Sequence, residues 1–487
     1  MLQYTLKRLM LVPVTFFMVS IIIFCVLNIA PGRPGSAQSV VDTGEQGNSG
    51  NQRESYRIFK EQFGLDKPIL VNTRPGLEYA DIERVIGHAH DIGGRAEPAE
   101  RIEAQEQLDD YGRYMVRHLI RMLNEHPDSV YQRYAAHYLT TAAKKPFIRA
   151  SAGWTDEAVR KAKDAARAEN RTIGQFNQGF SKWKWADGAS SETISAVKTK
   201  WNGWWETHGD NYRFDFGDRL GVLFGDTRFA LYWGNLIRFD FGVSSQDRKP
   251  VLPSIISKLK YSLSLTFVSV ILAYLIAVPI GIFSAVRQNT APDLVITIIL
   301  FVLYSLPTFF TGTVLLRLLS TGDPLAWFPP GGFESSDGVT RTTWGYLTDV
   351  LWYLTLPLIV FTARSLAALS RYARSGVIDV IRSDYVRTAR AKGLHEFVVI
   401  MKHAVRNGMI PILTLLGGLL PVLISGSVII EVIFNIPGMG LFLFNAINLR
   451  DYNVVMGILT IASLLTLLGI LISDLLLAAV DPRISFD

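Results

Sequence analysis

Long runs without a charged residue leave this chain few folds to choose from. A hydrocarbon layer about 30 Å thick is crossed by roughly 20 helical residues rising about 1.5 Å each. Leu9 to Ala30, Tyr261 to Val286, Leu294 to Leu316 and Met409 to Ile430 contain no Asp, Glu, Lys or Arg, and Val454 to Ser473 is a fifth such run. A weaker sixth, Trp344 to Leu369, is interrupted by Asp349 and Arg364. The expected fold is therefore an all-α membrane protein with six transmembrane helices. Lys7 and Arg8 ahead of the first run give it the layout of a signal peptide. The run is longer than the usual 7 to 15 residue apolar region and lacks a clear small-x-small cleavage site, so it reads as a retained span.

Charge placement gives an orientation. Only 19% of the 487 residues are charged, against about a quarter in soluble domains. With the N-terminus inside, the inner segments carry twelve basic residues, eight of them between Ser370 and Ile410, and the short outer loops carry three, Arg317, Arg341 and Arg450. Both termini are expected to be cytoplasmic. Lys258 and Lys260 oppose this, but they end a long loop, and long loops translocate largely regardless of charge. The net charge of +6 reads as cytoplasmic loops, and no nucleic-acid partner is expected. Cys25 is the sole cysteine, so no internal disulfide can form.

The loop from about Pro31 to Lys260 is a second kind of sequence. Between Val71 and Ala230 lie 23 basic and 23 acidic residues, six of the eight histidines and six of the ten tryptophans. Leu108, Tyr111, Met115, Leu119 and Met122 recur at helical spacing. Val130, Tyr134, Tyr138 and Ala142 do so again after Pro127 and Asp128. Thr155 before Asp156 and Glu157 reads as a capped helix start, and Ser191 to Trp205 as a further helix. Residues 71–230 are thus expected to form a soluble, mainly helical, extracytoplasmic domain. Arg213 to Gly217 and Arg238 to Gly242 share the pentapeptide Arg-Phe-Asp-Phe-Gly, which a local turn preference explains as well as duplication does.

Asp384-Tyr385-Val386-Arg387-Thr388-Ala389-Arg390-Ala391-Lys392-Gly393-Leu394, then His403 to Asn407 and Ile410-Pro411, resembles the signature loop of binding-protein-dependent ABC transporter permeases, in their dipeptide and oligopeptide branch. Glu431 to Gly440, Arg450-Asp451-Tyr452 and Asp481-Pro482-Arg483 are similar to further segments of that branch. So are Phe63 to Pro68 and Gly234-Asn235-Leu236 with Asp240-Phe241-Gly242. The last two segments normally follow each other closely, so the resemblance implies that 71–230 is an insertion. The organisation it implies is a first transmembrane helix at 1–30, outer segments at 31–70 and 231–260, and a permease core at 261–480. The core spans are 261–286, 294–316, 344–369, 409–430 and 454–480, with a coupling loop at 370–408 and a cytoplasmic tail at 481–487.

In such a permease residues 384–394 form a coupling helix that sits in a groove of an ATPase subunit. From the residues themselves, Ala389 and Ala391 keep part of the surface flat, Gly393 ends or bends the helix, and Arg387, Arg390 and Lys392 offer donors to a partner or to lipid headgroups. No G-x-x-x-x-G-K-[ST] loop occurs, so the chain is expected to be no enzyme and to hold no cofactor; ATP and Mg would be used by partner subunits. The resemblance implies these partners: a homologous second permease, two ATPases, an extracytoplasmic substrate-binding protein and the lipid bilayer of an inner membrane.

The scattered histidines have no metal-binding spacing, and the tryptophans from Trp183 to Trp205 read as a domain core before a stacking platform. Arg364, Glu431 and Asp474 are the candidate pathway or gating residues. Arg364 also fits a side chain snorkelling to headgroups, and Glu431 also fits a helix cap. The expected function is an import permease for di- or oligopeptides or similar solutes. Nickel, opines and antibiotic peptides remain alternative cargoes, and a membrane-anchored envelope-binding module an alternative class.

Overall fold

The computed structural model describes residues 2–29, 60, 64–94, 96–148, 156–321, 326–337, 339, 341–409, 412 and 427–480. Most of the expected span 409–430, the expected cap Thr155 and the segment 481–487 lie outside them. The described residues are helical, with one isolated bridge between Val243 and Pro250. The chain divides into two units, residues 28–242 and residues 1–27 with 243–487.

The second unit opens on α1, Leu2–Ile29, apolar enough over Leu9–Asn28 to cross a membrane. The unit 28–242 then builds a helical core. α2 (Tyr79–Ala89) and α3 (Pro98–Tyr111) start on reciprocal capping boxes, Glu78 with Asp81 and Glu97 with Glu100, which satisfy N–H groups that a helix start leaves unpaired. The periodic residues from Leu108 to Met122 do not lie on one helix: Gly112 turns at φ +49° into a 3-10 turn before α4, Val116–Glu125. Leu108, Met115, Leu119 and Met122 nonetheless reach the same core, all at most 1% exposed. α5 (Ser129–Ala142) is capped by Asp128, whose carboxylate accepts from Val130 N–H at 2.8 Å. α6 (Asp156–Phe180) and α7 (Ser191–His208) bring the aromatics in: Trp201 is fully buried, stacks on Phe180 and donates its indole N–H to Trp183 O at 2.8 Å. The tryptophans are core. α8 (Phe216–Gly225) and α9 (Arg228–Ile237) complete the unit.

In the remaining unit, α10 (Val251–Val286) packs along α13 (Thr343–Ile381). Ser262, Thr266, Ser269, Ala273, Ala277, Gly281 and Ser284 form a buried stripe of small residues on α10, which lets backbones approach closely where lipid removes any hydrophobic drive between helices. A Cβ on Gly281 would stand 2.4 Å from Ala373 Cβ. α13 has 39 residues, about 58 Å of helix; it runs beyond the expected span 344–369 into the expected loop. The run Leu294 to Leu316 is not straight: α11 (Ala291–Ser305) and α12 (Thr308–Leu316) meet at 94°. Pro307 lacks an N–H and holds Leu306 extended at ψ 127°, so the helix cannot continue through them. Among the described residues four helices suit a crossing, five if this bent pair is one span, where six were expected.

Candidate functional site

The expected coupling residues follow directly on α13. Ser383 sits at the N-cap of α14, Asp384–Ala391, and Asp384 in the first turn suits the positive end of the helix. Val386 and Ala389, three residues apart, are buried against Val380 and Val399. Tyr385, Arg387, Thr388, Arg390, Ala391, Lys392, Gly393 and Leu394 are exposed. The helix therefore has an inner face of two small or branched residues and an outer face rich in cations. Ala389 lies on the inner face and Ala391 on the outer one. Gly393, at φ +79°, ends the helix in the left-handed region that costs glycine least.

Three contacts fix this segment to its surroundings. Arg390 grips Glu396 from both sides of the glycine turn, Nη2 donating to Oε1 at 2.7 Å and Nε to both oxygens at 3.2 Å. The guanidinium holds the Glu396 carboxyl below its ordinary value. Asn407 Nδ2 donates to Tyr385 OH at 2.9 Å. A Cβ on Gly376 of α13 would lie 2.2 Å from Gly408 O, so the backbone after the coupling segment lies directly on the long helix. Among the described residues Arg387 pairs with Asp384 alone, at 3.6 Å with side chains 70% and 98% exposed; water screens such a pair and leaves the guanidinium presented outward.

The three ionisable candidates are in different settings. Glu431, on α15 (Val428–Ile433), is fully buried. Its Oε1 accepts from Ser262 Oγ at 2.8 Å and its Oε2 from Leu441 N–H at 3.0 Å, while Ser262 Oγ accepts from Met439 N–H at 2.7 Å. A Cβ on Gly438 would approach Glu431 Oε2 to 2.6 Å, so the turn before α16 (Met439–Asn448) is bare where the carboxylate fills it. Arg364 is exposed on α13 and shares no hydrogen bond or ion pair with Glu431; Asp474 is half-buried on α17, Tyr452–Val480.

Comparison with known proteins decides the family. The model of the binding-protein-dependent transport system inner membrane component matches residues 277–486. The oligopeptide transport system permease protein AppB of Bacillus subtilis is 39% identical over 278 residues, 56% of this chain and 85% of AppB. The chain belongs to this permease family. It is also 35% identical to the peptidoglycan transport system permease protein YejB of Agrobacterium fabrum, over 64% of this chain and 82% of YejB. With the glutathione transport system permease protein GsiC of Escherichia coli it shares 35% over 53% of this chain and 79% of GsiC. Much of this permease has no counterpart in those alignments.

Two buried ionic anchors of the permease escaped the sequence reading. Asp293, 4% exposed in the first turn of α11, accepts from Arg374 Nη2 at 2.8 Å, Arg374 Nε at 3.1 Å, Asn289 N–H at 3.0 Å and Ser284 Oγ. Asp451, 2% exposed, accepts from Ser244 Oγ at 2.6 Å and Ser245 N–H at 3.0 Å. The signals were present: Asp293 follows Pro292 at a helix start, and Asp451 stands in the recognised Arg450-Asp451-Tyr452. Their distant partners, Arg374 for Asp293 and Ser244 and Ser245 for Asp451, lie 81 and more than 200 positions away and left no local trace.

Proposed function

We propose that this chain is the membrane-spanning subunit of an ABC importer for short peptides, supplying half of a pathway shared with a second permease and coupled through α14 to separate ATPase subunits. The outer face of α14 carries the reading. A segment whose inner residues are pinned by Val386, Ala389 and the Arg390–Glu396 grip can transmit displacement to α13. Its exposed Arg387 and Lys392 have no role in that packing and are available to a partner, and the exposed ring of Tyr385, whose hydroxyl holds Asn407, lies beside them. The named relatives act on oligopeptides, peptidoglycan and glutathione, which supports a cargo with peptide bonds; import follows from the family's binding-protein dependence. ATP binding would favour one arrangement of the spans and hydrolysis the other, with loaded binding protein biasing the same equilibrium. Both termini are read as cytoplasmic and residues 71–230 as an extracytoplasmic insertion. Glu431 is read as the anchor of the turn before α16, and Arg364 and Asp474 as pathway candidates.

Two arms test the coupling. Arg387→Glu changes an exposed side chain, so the protein should fold and insert normally while ATPase co-purification and peptide uptake fall at least tenfold. Normal uptake in that variant would favour the rival reading, a membrane-anchored envelope module in which α14 is idle.

A further inference from the structure

A cavity of about 620 Å³ lies within the unit 28–242, inside the size range of small-molecule sites. Its wall mixes apolar side chains such as Leu108, Tyr212 and Leu231 with charges of both signs. Most of those charges are engaged. Lys67 Nζ contacts Asp226 Oδ1 at 2.5 Å, Arg113 Nη2 contacts Asp226 Oδ2 at 3.1 Å, and Tyr114 donates to the same carboxylate. Asp110 pairs with Lys60 at 2.5 Å.

Two wall residues differ. Asp66 Oδ1 is buried and has no hydrogen-bond partner among the described residues. The Arg74 guanidinium enters no ion pair and no hydrogen bond among them; its backbone is engaged, the N–H donating to Asn72 Oδ1 at 3.2 Å and the carbonyl accepting from Leu77 N–H at 3.1 Å. Burial works against the charge of each, raising the Asp66 carboxyl and lowering the Arg74 guanidinium; Lys67 and a backbone N–H partly offset it for Asp66 and Asp110 for Arg74, each ahead of the weaker pull that Asp66 and Arg74 exert on one another. Their side chains are thus near enough to interact electrostatically yet not paired. A buried carboxylate oxygen without a hydrogen bond and a half-buried guanidinium without an ion pair are costly, and a ligand bearing both complementary charges would relieve both at once. Asn211 and Asn235 on the same wall add groups able to donate to, or accept from, an amide.

We propose that this cavity binds a small zwitterion, its ammonium on Asp66 and its carboxylate on Arg74, with intervening atoms against the apolar wall. A free amino acid or an unblocked short peptide has that chemistry. Preferring the peptide rests on the transport reading above; the demand for two opposite charges rests on the cavity alone.

The test uses the full-length protein in nanodiscs, with tri-alanine and its doubly blocked form (N-acetyl, C-amide) as probes in titration calorimetry. Tri-alanine should bind, and blocking both ends should weaken it about tenfold or more, as should Arg74→Gln and Asp66→Asn singly, the loss expected for one charge-assisted hydrogen bond. Arg74→Lys, which keeps the charge, should recover part of the affinity, and near-ultraviolet circular dichroism of the tryptophan core reports whether each variant is folded. Absence of tri-alanine binding, equal binding of the blocked peptide, or unchanged affinity in both folded variants overturns the site. Uptake by the wild-type transporter is measured in parallel: uptake without binding rejects the cavity and spares the transport reading, while binding without uptake does the reverse.

Discussion

Asp226 holds three donors at once, and its chemistry sets the pH behaviour of the unit around it. Burial opposes its charge, but hydrogen bonds from Lys67 and Tyr114 and the charges of Lys67 and Arg113 outweigh that and keep its carboxyl below the ordinary value. A depressed carboxylate stabilises the fold above its unfolded pKa of about 4, and that contribution is lost as pH falls through the folded value. Tyr114 titrates at the other end. Burial, then the bond to Asp226, pushes its hydroxyl up to about 12, so its contribution is whole below about pH 10 and is lost as pH rises from there towards 12. Tyr114→Phe should lower stability at pH 7 by about 1–3 kcal/mol, the scale of a hydrogen bond to a charged group. The gap from wild type should shrink between pH 10 and 12, as followed by tryptophan fluorescence on heating. A gap independent of pH would mean that the phenol does not donate to Asp226. Glu431→Ala should leave Leu441 N–H and Ser262 Oγ without their acceptor, costing about 1–3 kcal/mol and lowering the melting temperature in detergent; an unchanged melt would remove Glu431 from its anchoring role. None of these partnerships was readable in advance. The Glu431 motif was recognisable as a string, but the sequence left vestibule and cap equally open, because Ser262 lies 169 positions away.

Helices were legible to the extent that local chemistry defines them. Asp128 and Ser190 cap the helices that follow them, as side chains of that kind do, and Gly393 ends α14 as expected. Periodicity alone could not show the break at Gly112, because residues on both sides keep facing one core. Pro307 forbids one continuous helix, while the 94° angle depends on what α11 and α12 pack against. The stripe of small residues on α10 was also visible in the letters and carries a testable consequence. Gly281→Leu would force its side chain into Ala373 Cβ and Ser370 O, which an added Cβ already approaches to 2.4 and 2.6 Å. Overpacking of this kind costs about 1–3 kcal/mol, so the purified protein should melt lower and aggregate more on size exclusion. Gly174→Ala serves as its counterpart on α6, where a Cβ meets nothing within 4 Å. That change should stabilise by about 0.5–1 kcal/mol through helix propensity. Equal effects from both would show that close packing of α10 on α13 contributes nothing.

At the scale of the molecule, the joints of residues 71–230 matter most. Asn72 N–H donates to Leu223 O at 2.8 Å and Asn72 Nδ2 to Asp226 O at 2.9 Å, while Arg228 N–H donates to Pro68 O at 2.9 Å and Phe229 N–H to Ile69 O at 3.1 Å. The segment leaves and returns at one place, the geometry that the proposed insertion requires. Joining Asn72 to Asp226 through a short Gly-Ser linker should therefore be possible, since each extended residue covers about 3.3–3.6 Å. The shortened chain is expected to insert in the membrane, co-purify with its ATPases and support uptake at saturating substrate, because α10, α13 and α14 are left intact. It should no longer bind tri-alanine at the cavity, having lost Arg74 along with the helical core. Co-purification and uptake measured on the same preparation separate the outcomes. Failure to assemble would make residues 73–225 a working part of the permease, and retained tri-alanine binding would move the zwitterion site to another place in the chain.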